Sequence, residues 1–287
     1  MVLEISKSKF QTEYLPVTYP FTNRWYGMER TEVLDLDKRG EYDRRNQQIR
    51  SRGQIPEEDF QLDCVTSIMG YSDSPIFRFV DLGAGWGYWG LVVAGLASLC
   101  NKASWILAVE PEINHYNWTI DTLTKNKVKG EVQRAAISDT IGKSELLLGE
   151  KSSKDYGQTL LRSKNPLARL LLRRKLVSVD KTTLDRLLLD RPESIDLAMV
   201  DVQGEELRVL RGSTKTLTTG QINFLMIGTH SLELHSQCQK EMDTRYPGYD
   251  LIVDLNPNSV TRLVQVGDGL LLYERRANDK KSSSDLF

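Results

Sequence analysis

The sequence predicts an α/β fold with a doubly wound, mostly parallel sheet, an antiparallel last strand and an N-terminal helical extension. From residue 77 onward apolar runs alternate with helical patterns, which is typical of parallel strands joined by right-handed crossovers. Residues 195–202 form a predominantly apolar run, as expected for a strand buried on both faces. The last two strands flank a short connection containing Asn256-Pro257-Asn258, which favours an antiparallel pair.

Each predicted element has a local reason in the sequence. Strands are short apolar runs bounded by glycine, proline or turn residues, and helices show apolar spacing over longer stretches. Pro111 stops the second strand, the turn at Asp139 to Gly142 precedes the fourth, and Gly220 follows the third helix. In chain order we predict strands at 77–82, 104–110, 132–137, 145–149, 195–202, 222–228, 249–255 and 269–273, and helices at 86–99, 113–125, 205–217 and 232–242.

Changes in composition divide the chain into three predicted regions. Residues 1–74 are polar and charge-rich with several early aromatic residues, and we interpret them as an extension and a candidate substrate cap. Residues 75–275 form the main domain, with an insertion at about 140–178. The charged, serine-rich residues 276–287 are predicted to be a disordered tail.

Composition also restricts the class of protein. The 287 residues carry a net charge of −1, which disfavours an overall basic nucleic-acid binder, so we expect no nucleic-acid partner. Cys64, Cys100 and Cys238 are too few and too far apart for a disulfide framework or a cysteine metal site. The N-terminus lacks the apolar run of a signal peptide, and residues 91–100 are about half of a membrane span. These features predict a cytoplasmic protein without a transmembrane segment.

The strongest motif is a strand that runs through a glycine-rich loop directly into a helix. It reads Val80-Asp81-Leu82-Gly83-Ala84-Gly85-Trp86-Gly87. Glycines in such a loop let the backbone approach a ligand closely, and the helix that follows presents free N–H groups. Glu110 ends the next strand, where a carboxylate can accept hydrogen bonds from both hydroxyls of a ribose.

Two cofactors fit this arrangement. Gly85, Gly87 and Gly90 match the dinucleotide fingerprint, which is a weak signal by itself. S-adenosylmethionine has a ribose but no pyrophosphate, and Asp81 could meet the amino group of its methionine part. A carboxylate at that position would be poorly placed beside a pyrophosphate, and Trp86 and Tyr88 would crowd one. The residues therefore favour S-adenosyl-L-methionine over a nicotinamide cofactor.

The chain resembles the FkbM-type class I methyltransferases over about residues 77–275. Besides the glycine loop, the resemblance is carried by Val109-Glu110-Pro111, by residues 135–139 with Gly142, and by Thr183-Leu184-Asp185. Its most specific block is residues 200–212, which begin Val-Asp-Val-Gln-Gly and end Leu-Arg-Gly. The resemblance implies a Rossmann-like sheet and methylation of a hydroxyl, often on a sugar or a secondary metabolite.

The resemblance also implies roles for individual residues. Asp81, Gly83, Ala84, Gly85 and Gly87 match the loop that binds the methionine part of the donor. Glu110 matches the ribose acid and Pro111 follows it. Ala136, Ser138 and Asp139 match the segment beside adenine. Two departures from the pattern are Met199, where lysine is frequent, and Gly228-Thr229-His230, where the family often has Glu-x-His.

Asp201 and His230 are the candidate catalytic residues. Each is predicted at the carboxyl end of a strand, where ligands bind in doubly wound sheets. A histidine there can take the proton of an acceptor hydroxyl, and Asp201 could orient it, position the donor or act as the base itself. Structural alternatives are a helix N-cap for Asp201 and a polar strand end for His230.

No metal site is predicted from histidine spacing, although Asp201, His230 and a remote acid could still assemble one. His115 is expected on a helix surface, and His235 lies five residues beyond His230, which does not place both on one helical face. The segment Arg162 to Lys175 is rich in basic residues without an acid. It is expected to be a surface helix, and alternatively to attract an anionic glycan or a membrane surface by peripheral contact.

The leading interpretation is an S-adenosylmethionine-dependent O-methyltransferase acting on a hydroxyl of a small-molecule or glycan acceptor. A NAD(P)-dependent oxidoreductase is the enzyme alternative, and a catalytically inactive cofactor-binding module is the non-enzymatic one. The three differ in whether the chain binds the methyl donor and whether any hydroxyl is methylated.

Overall fold

A computed structural model describes residues 55–148, 159–160, 176–258, 264–265 and 267–276. The predictions for residues 1–54, for Arg162 to Lys175 and for the tail after residue 276 lie outside the described residues. The strands are β1 (Ile55–Pro56), β2 (Ile76–Leu82), β3 (Ala103–Val109), β4 (Gly130–Gln133), β5 (Ala136–Ile137), β6 (Gly142–Leu147), β7 (Thr159–Leu160), β8 (Leu176–Thr182), β9 (Ile195–Val200), β10 (Ile222–Thr229), β11 (Tyr249–Leu255), β12 (Val264–Gln265) and β13 (Gly269–Arg275). The helices are α1 (Glu57–Tyr71), α2 (Tyr88–Leu99), α3 (Ile113–Lys125), α4 (Leu184–Leu187), α5 (Glu206–Arg211), α6 (Thr214–Thr218) and α7 (Leu232–Arg245).

The central sheet has seven strands in the order β11-β13-β10-β9-β2-β3-β4. The strands from β10 to β4 run parallel, and β13 lies antiparallel between β10 and β11. This confirms the predicted doubly wound sheet with an antiparallel finish. Because β2, β3, β9 and β10 are parallel neighbours, their carboxyl ends meet at one edge of the sheet, where ligands bind in this architecture.

The core has two layers, one on each face of the sheet. Along β2, Phe77 and Phe79 pack on one face with α1 and α2, while Val80 and Leu82 face the opposite layer, with α5 and α7. This is the alternation that a strand buried on both faces requires. Helix α1, which lies within the predicted N-terminal extension, contributes fully buried Val65, Ile68 and Met69 to the first layer.

The predicted third strand at 132–137 was wrong as a single element. The chain leaves the central sheet after Gln133, whose carbonyl oxygen accepts a hydrogen bond from the Glu110 N–H. Ala136 and Ile137 pair instead with β8, in a second sheet of order β5-β8-β6-β7. Part of the predicted insertion thus builds a small sheet beside the main one.

The predicted helix at 205–217 was also wrong as a single element, because it breaks at Gly212. A side chain at Gly212 would place its Cβ 2.1 Å from the carbonyl oxygen of Ser138, so the close approach of these two backbones requires glycine. Ser213 then starts α6, and Asp185 accepts hydrogen bonds from the N–H groups of Lys215 and Thr216. Within the described residues, no helix is both long and apolar enough to span a membrane.

Candidate active site

The glycine loop after β2 is held against the ends of both neighbouring strands. The N–H groups of Gly83 and Ala84 donate to the Val109 carbonyl, and the Asp201 N–H donates to the Leu82 carbonyl. Gly83, Gly85 and Gly87 have φ values of 93°, 57° and 86°, which lie in the left-handed region. A Cβ on Gly83 would lie 1.9 Å from the Asp201 carbonyl oxygen. The loop therefore depends on glycine both for its conformation and for its contact with the end of β9.

Asp81 is a buried carboxyl group at the base of this loop. Its residue is 2% exposed, and its Oδ2 has no hydrogen-bond partner among the described residues. Burial and the nearby charge of Asp201 raise the pKa of Asp81 to about 7, although a hydrogen bond from the Gly90 N–H lowers it in part. A buried carboxyl oxygen without a partner is costly, and the ammonium group of a bound donor would supply one.

We expect Asp81→Asn to raise the stability of the ligand-free protein selectively at high pH. The raised pKa of Asp81 means that the folded state holds its proton more tightly than the unfolded state. Its contribution to stability is therefore present at acidic pH and lost as pH rises through about 7. Relative to the variant, the wild type should lose roughly 2–3 kcal/mol of unfolding free energy between pH 5 and pH 8. Urea unfolding at both pH values tests this, and parallel curves for the two proteins would contradict it.

Glu110 organises the loop from the end of β3. Its Oε2 accepts a hydrogen bond from the Gly85 N–H and its Oε1 from the Glu112 N–H, both at 2.9 Å. Burial raises its pKa to about 8, although both N–H groups oppose the shift. Pro111 lies between Glu110 and Glu112, and Glu112 caps α3 through the N–H groups of Asn114 and His115. Carboxylate oxygens keep further acceptor capacity, so the hydroxyls of a ribose could still bind Glu110.

His115 lies in this part of the site, contrary to the prediction that it sits on a helix surface. It is 6% exposed, and its Nδ1 is 4.0 Å from Glu110 Oε1. The amphipathic spacing of α3 could not reveal this, because the His115 ring lies beside Glu110, which belongs to the end of another element, and beside the Trp118 ring.

We expect Glu110→Ala to weaken donor binding by about 1–3 kcal/mol, the cost of stranding buried polar groups. The variant loses the ribose acceptor and leaves the Gly85 and Glu112 N–H groups without their carboxylate. Titration calorimetry with S-adenosylhomocysteine measures the change. Glu131→Ala is the control, since Glu131 pairs on the surface with Arg191 at 2.7 Å. Unchanged affinity in folded Glu110→Ala would place the ribose acid elsewhere.

The predicted adenine segment is anchored by its backbone. The Ser138 N–H donates to the Thr182 carbonyl, and the Ser138 hydroxyl donates to Asp139 Oδ1 at 3.2 Å. Ala136 and Ser138 are buried, and Asp139 is half-buried. The segment follows Gln133, whose carbonyl oxygen accepts a hydrogen bond from the Glu110 N–H, so it begins close to Glu110.

The structure brings Asp201 and His230 together. His230 Nε2 lies 3.3 Å from Asp201 Oδ1, and the Asp201 side chain is 46% exposed. Asp201 is not the helix N-cap considered above, because Glu205 takes that position without a side-chain capping bond. The alternative that Asp201 serves only as a cap is therefore excluded.

Glu206 is a site residue that the sequence did not reveal. Its side chain is fully buried, and its Oε1 is 2.9 Å from His230 Nδ1. The same oxygen accepts a hydrogen bond from the Gly204 N–H. Gln203 and Gly204 have φ values of 53° and 99°, and this left-handed pair turns the chain back so that Glu206 reaches His230. A glutamate in the first turn of a helix looks in sequence like an ordinary N-terminal charge.

His230 is thus held between carboxyl groups on several sides. Besides Asp201 and Glu206, Asp268 Oδ2 lies 4.0 Å from its Nε2. Burial lowers the pKa of His230, but its contacts with Asp201 and Glu206 outweigh burial and raise the pKa to about 10. The Asp201 and Glu206 carboxyl groups therefore favour the protonated form of His230.

His235 is separate from this cluster. Its ring is buried, with Nδ1 at 2.7 Å from the Thr229 hydroxyl and Nε2 at 2.9 Å from Asp254 Oδ1. Both ring nitrogens bind neighbouring elements, which gives His235 a packing role that the sequence had not indicated.

The strand order, the glycine loop and the acid after β3 define a Rossmann-like, S-adenosylmethionine-dependent methyltransferase, and comparison with known proteins gives its family. The model of the methyltransferase FkbM domain matches residues 81–250, more than half of the chain. The chain belongs to the FkbM methyltransferase family. No curated protein matches the chain.

Solved structures of methyltransferases are similar at low identity. Methyltransferase FkbM from Methylobacillus flagellatus is 15% identical, with a TM-score of 0.48 over 70% of this chain and 44% of that one. The chain therefore spans less than half the length of that protein. The METTL16 methyltransferase domain is 14% identical, with a TM-score of 0.46 over 76% of this chain and 67% of that one. The N-terminal domain of human METTL16 in complex with SAH is 14% identical, with a TM-score of 0.44 over 76% of this chain and 69% of that one.

Proposed function

We propose that this methyltransferase acts on a hydroxyl group of a sugar, glycan or secondary metabolite. The observation that carries the proposal is the Asp201–His230 pair, which lies at the carboxyl ends of β9 and β10 beside the glycine loop. A hydroxyl must lose its proton when it is methylated, and the Asp201 carboxylate, paired with the His230 imidazole, can receive that proton.

The proposed methyl transfer conserves atoms and electrons. The acceptor oxygen forms a bond to the donor methyl, and the bond between that methyl and the sulfonium sulfur breaks. The electron pair stays on sulfur, so neutral S-adenosylhomocysteine leaves. The acceptor proton passes to the Asp201–His230 pair and then to water. Asp81 and Glu110 would hold the methionine ammonium and the ribose, which leaves Asp201 and His230 for the acceptor.

The charge around His230 supports a small acceptor without phosphate groups. The side chains of Asp201 and Asp268 are 46% and 59% exposed. The pKa of Glu57 is raised to about 7, mainly by burial and further by the negative charges of Asp268 and Asp201. Nucleic-acid sites present lysine and arginine to the phosphate backbone. Exposed carboxylates beside His230 repel phosphates, so we expect no nucleic-acid acceptor. The free state of Cys64, Cys100 and Cys238 supports a cytoplasmic location for the same activity.

Methyl transfer to a panel of acceptors tests the proposal. The purified chain is incubated with S-adenosylmethionine and with sugars, glycans, phenols or a total RNA preparation, and S-adenosylhomocysteine release is measured. We expect turnover with hydroxylated small molecules and none with RNA. Turnover with RNA alone would reject the acceptor class. Donor binding without turnover on any acceptor would support an inactive binding module, and binding of NADH in place of the donor would support the oxidoreductase alternative.

A further inference from the structure

Asp201, Glu206 and His230 place one possible metal-ligand atom each within 4.8 Å of one another. The group combines two carboxylates with an imidazole, and it comes from the β9–α5 turn and the end of β10. Donors on one ion lie about 2.0–2.2 Å from it, so the three side chains need only a small contraction. Asp268 Oδ2, 4.0 Å from His230 Nε2, is within reach as a fourth oxygen.

A second observation distinguishes this group from an ordinary cluster of charges. The Glu206 side chain is fully buried, yet its Oε2 accepts no hydrogen bond from any described residue. His230 Nε2 is likewise buried without an aligned hydrogen bond, although it approaches Asp201. Buried polar atoms without partners are rare in folded proteins. Two of them on neighbouring side chains, one on an imidazole whose proton a bound metal ion would replace, point to a cation site.

We propose that Asp201, Glu206 and His230 bind one divalent cation of the Mn²⁺ type. Two carboxylate oxygens and one imidazole nitrogen suit such an ion better than a thiolate-seeking one. The expectation of no metal site is replaced by the alternative of Asp201, His230 and a remote acid, and that acid is Glu206.

The chemical role of this metal site rests on the proposed methylation of a hydroxyl. A cation lowers the pKa of a hydroxyl bound to it, as it does for bound water. The acceptor hydroxyl would release its proton to the Asp201 oxygen that does not hold the ion. The methyl group would then move to the acceptor oxygen with loss of S-adenosylhomocysteine, as above.

Mn²⁺ binding to the full chain tests the site directly. Electron paramagnetic resonance of free Mn²⁺ is recorded as protein is added at pH 7.5. We expect one ion per chain in the wild type, and at least a tenfold weaker affinity in Glu206→Gln and Asp201→Asn. Asp254→Asn is the matched control, because it removes a carboxylate from the other histidine pair, His235–Asp254, and should bind as the wild type does.

The outcomes separate this site from the proposed function. The Asp201 side chain is 46% exposed whereas that of Glu206 is fully buried, so Asp201→Asn should remain folded even if Glu206→Gln does not. Equal Mn²⁺ affinity in the wild type, Asp201→Asn and Glu206→Gln, or no binding by the wild type at millimolar Mn²⁺, would overturn the site. Hydroxyl methylation that persists in excess EDTA would overturn its role and leave the methyltransferase intact. Mn²⁺ binding that both variants abolish, without methylation of any hydroxyl, would support the site and reject the acceptor class.

Discussion

His230→Ala is expected to reduce kcat for hydroxyl methylation by about 10²–10⁴-fold, the usual contribution of a group that handles a proton in the transition state. The variant removes the ring that links Asp201 and Glu206, and it leaves the buried Glu206 carboxylate without its partner. Donor affinity should change little, because the predicted donor contacts lie on Asp81 and Glu110. Steady-state kinetics with calorimetry of S-adenosylhomocysteine binding separates the two quantities.

His235→Gln is the control for that experiment. It alters a buried histidine on the following helix, which packs between Thr229 and Asp254 and faces neither Asp201 nor Glu206. We expect lower stability and near-normal kcat. If folded His230→Ala kept near-normal kcat while Asp201→Asn lost activity, Asp201 alone would receive the proton. A His230→Ala protein that lost donor binding would make His230 a cofactor or folding residue.

Gly83→Ala should abolish donor binding and lower the unfolding free energy by on the order of 2–4 kcal/mol. The new Cβ would lie 1.9 Å from the Asp201 carbonyl oxygen and 2.9 Å from its carbon. Neither backbone can yield easily, because the Asp201 N–H bonds to Leu82 and the Gly83 N–H bonds to Val109. The φ of 93° adds strain for any side chain. Urea unfolding and calorimetry with S-adenosylhomocysteine measure the two effects.

Substitutions at two other glycines separate the steric clash at Gly83 from the backbone strain. A Cβ on Gly70, in α1, meets nothing within 4 Å, so Gly70→Ala should be neutral or stabilising by about 0.5–1 kcal/mol. Gly142 also has open space but a φ of 149°, so Gly142→Ala carries backbone strain without a clash. If the Gly83→Ala protein bound the donor and were no less stable than the Gly142→Ala protein, the loop would tolerate a shift of the β9 end.

The sequence by itself determined the parts of the protein whose signals are local. The alternation of apolar runs and helical patterns predicted the sheet and its antiparallel finish, and α3 and β11 have the predicted bounds. The loop from Asp81 to Gly87 and the acid Glu110 were predictable because their residue types and spacing reflect a local backbone conformation. Asp201 and His230 were placed at one edge because parallel strands end together.

Only the tertiary structure decided what surrounds those residues. The division of 132–137 between two sheets depends on pairing with β8, some 45 residues away in sequence. The break at Gly212 depends on the backbone of Ser138. Glu206 reaches His230 across 24 positions, through a left-handed turn at Gln203 and Gly204. Contacts between distant segments leave no periodic or spacing signal in one chain, because each partner also has an ordinary local explanation, and packing alone selects which carboxylates face the same histidine.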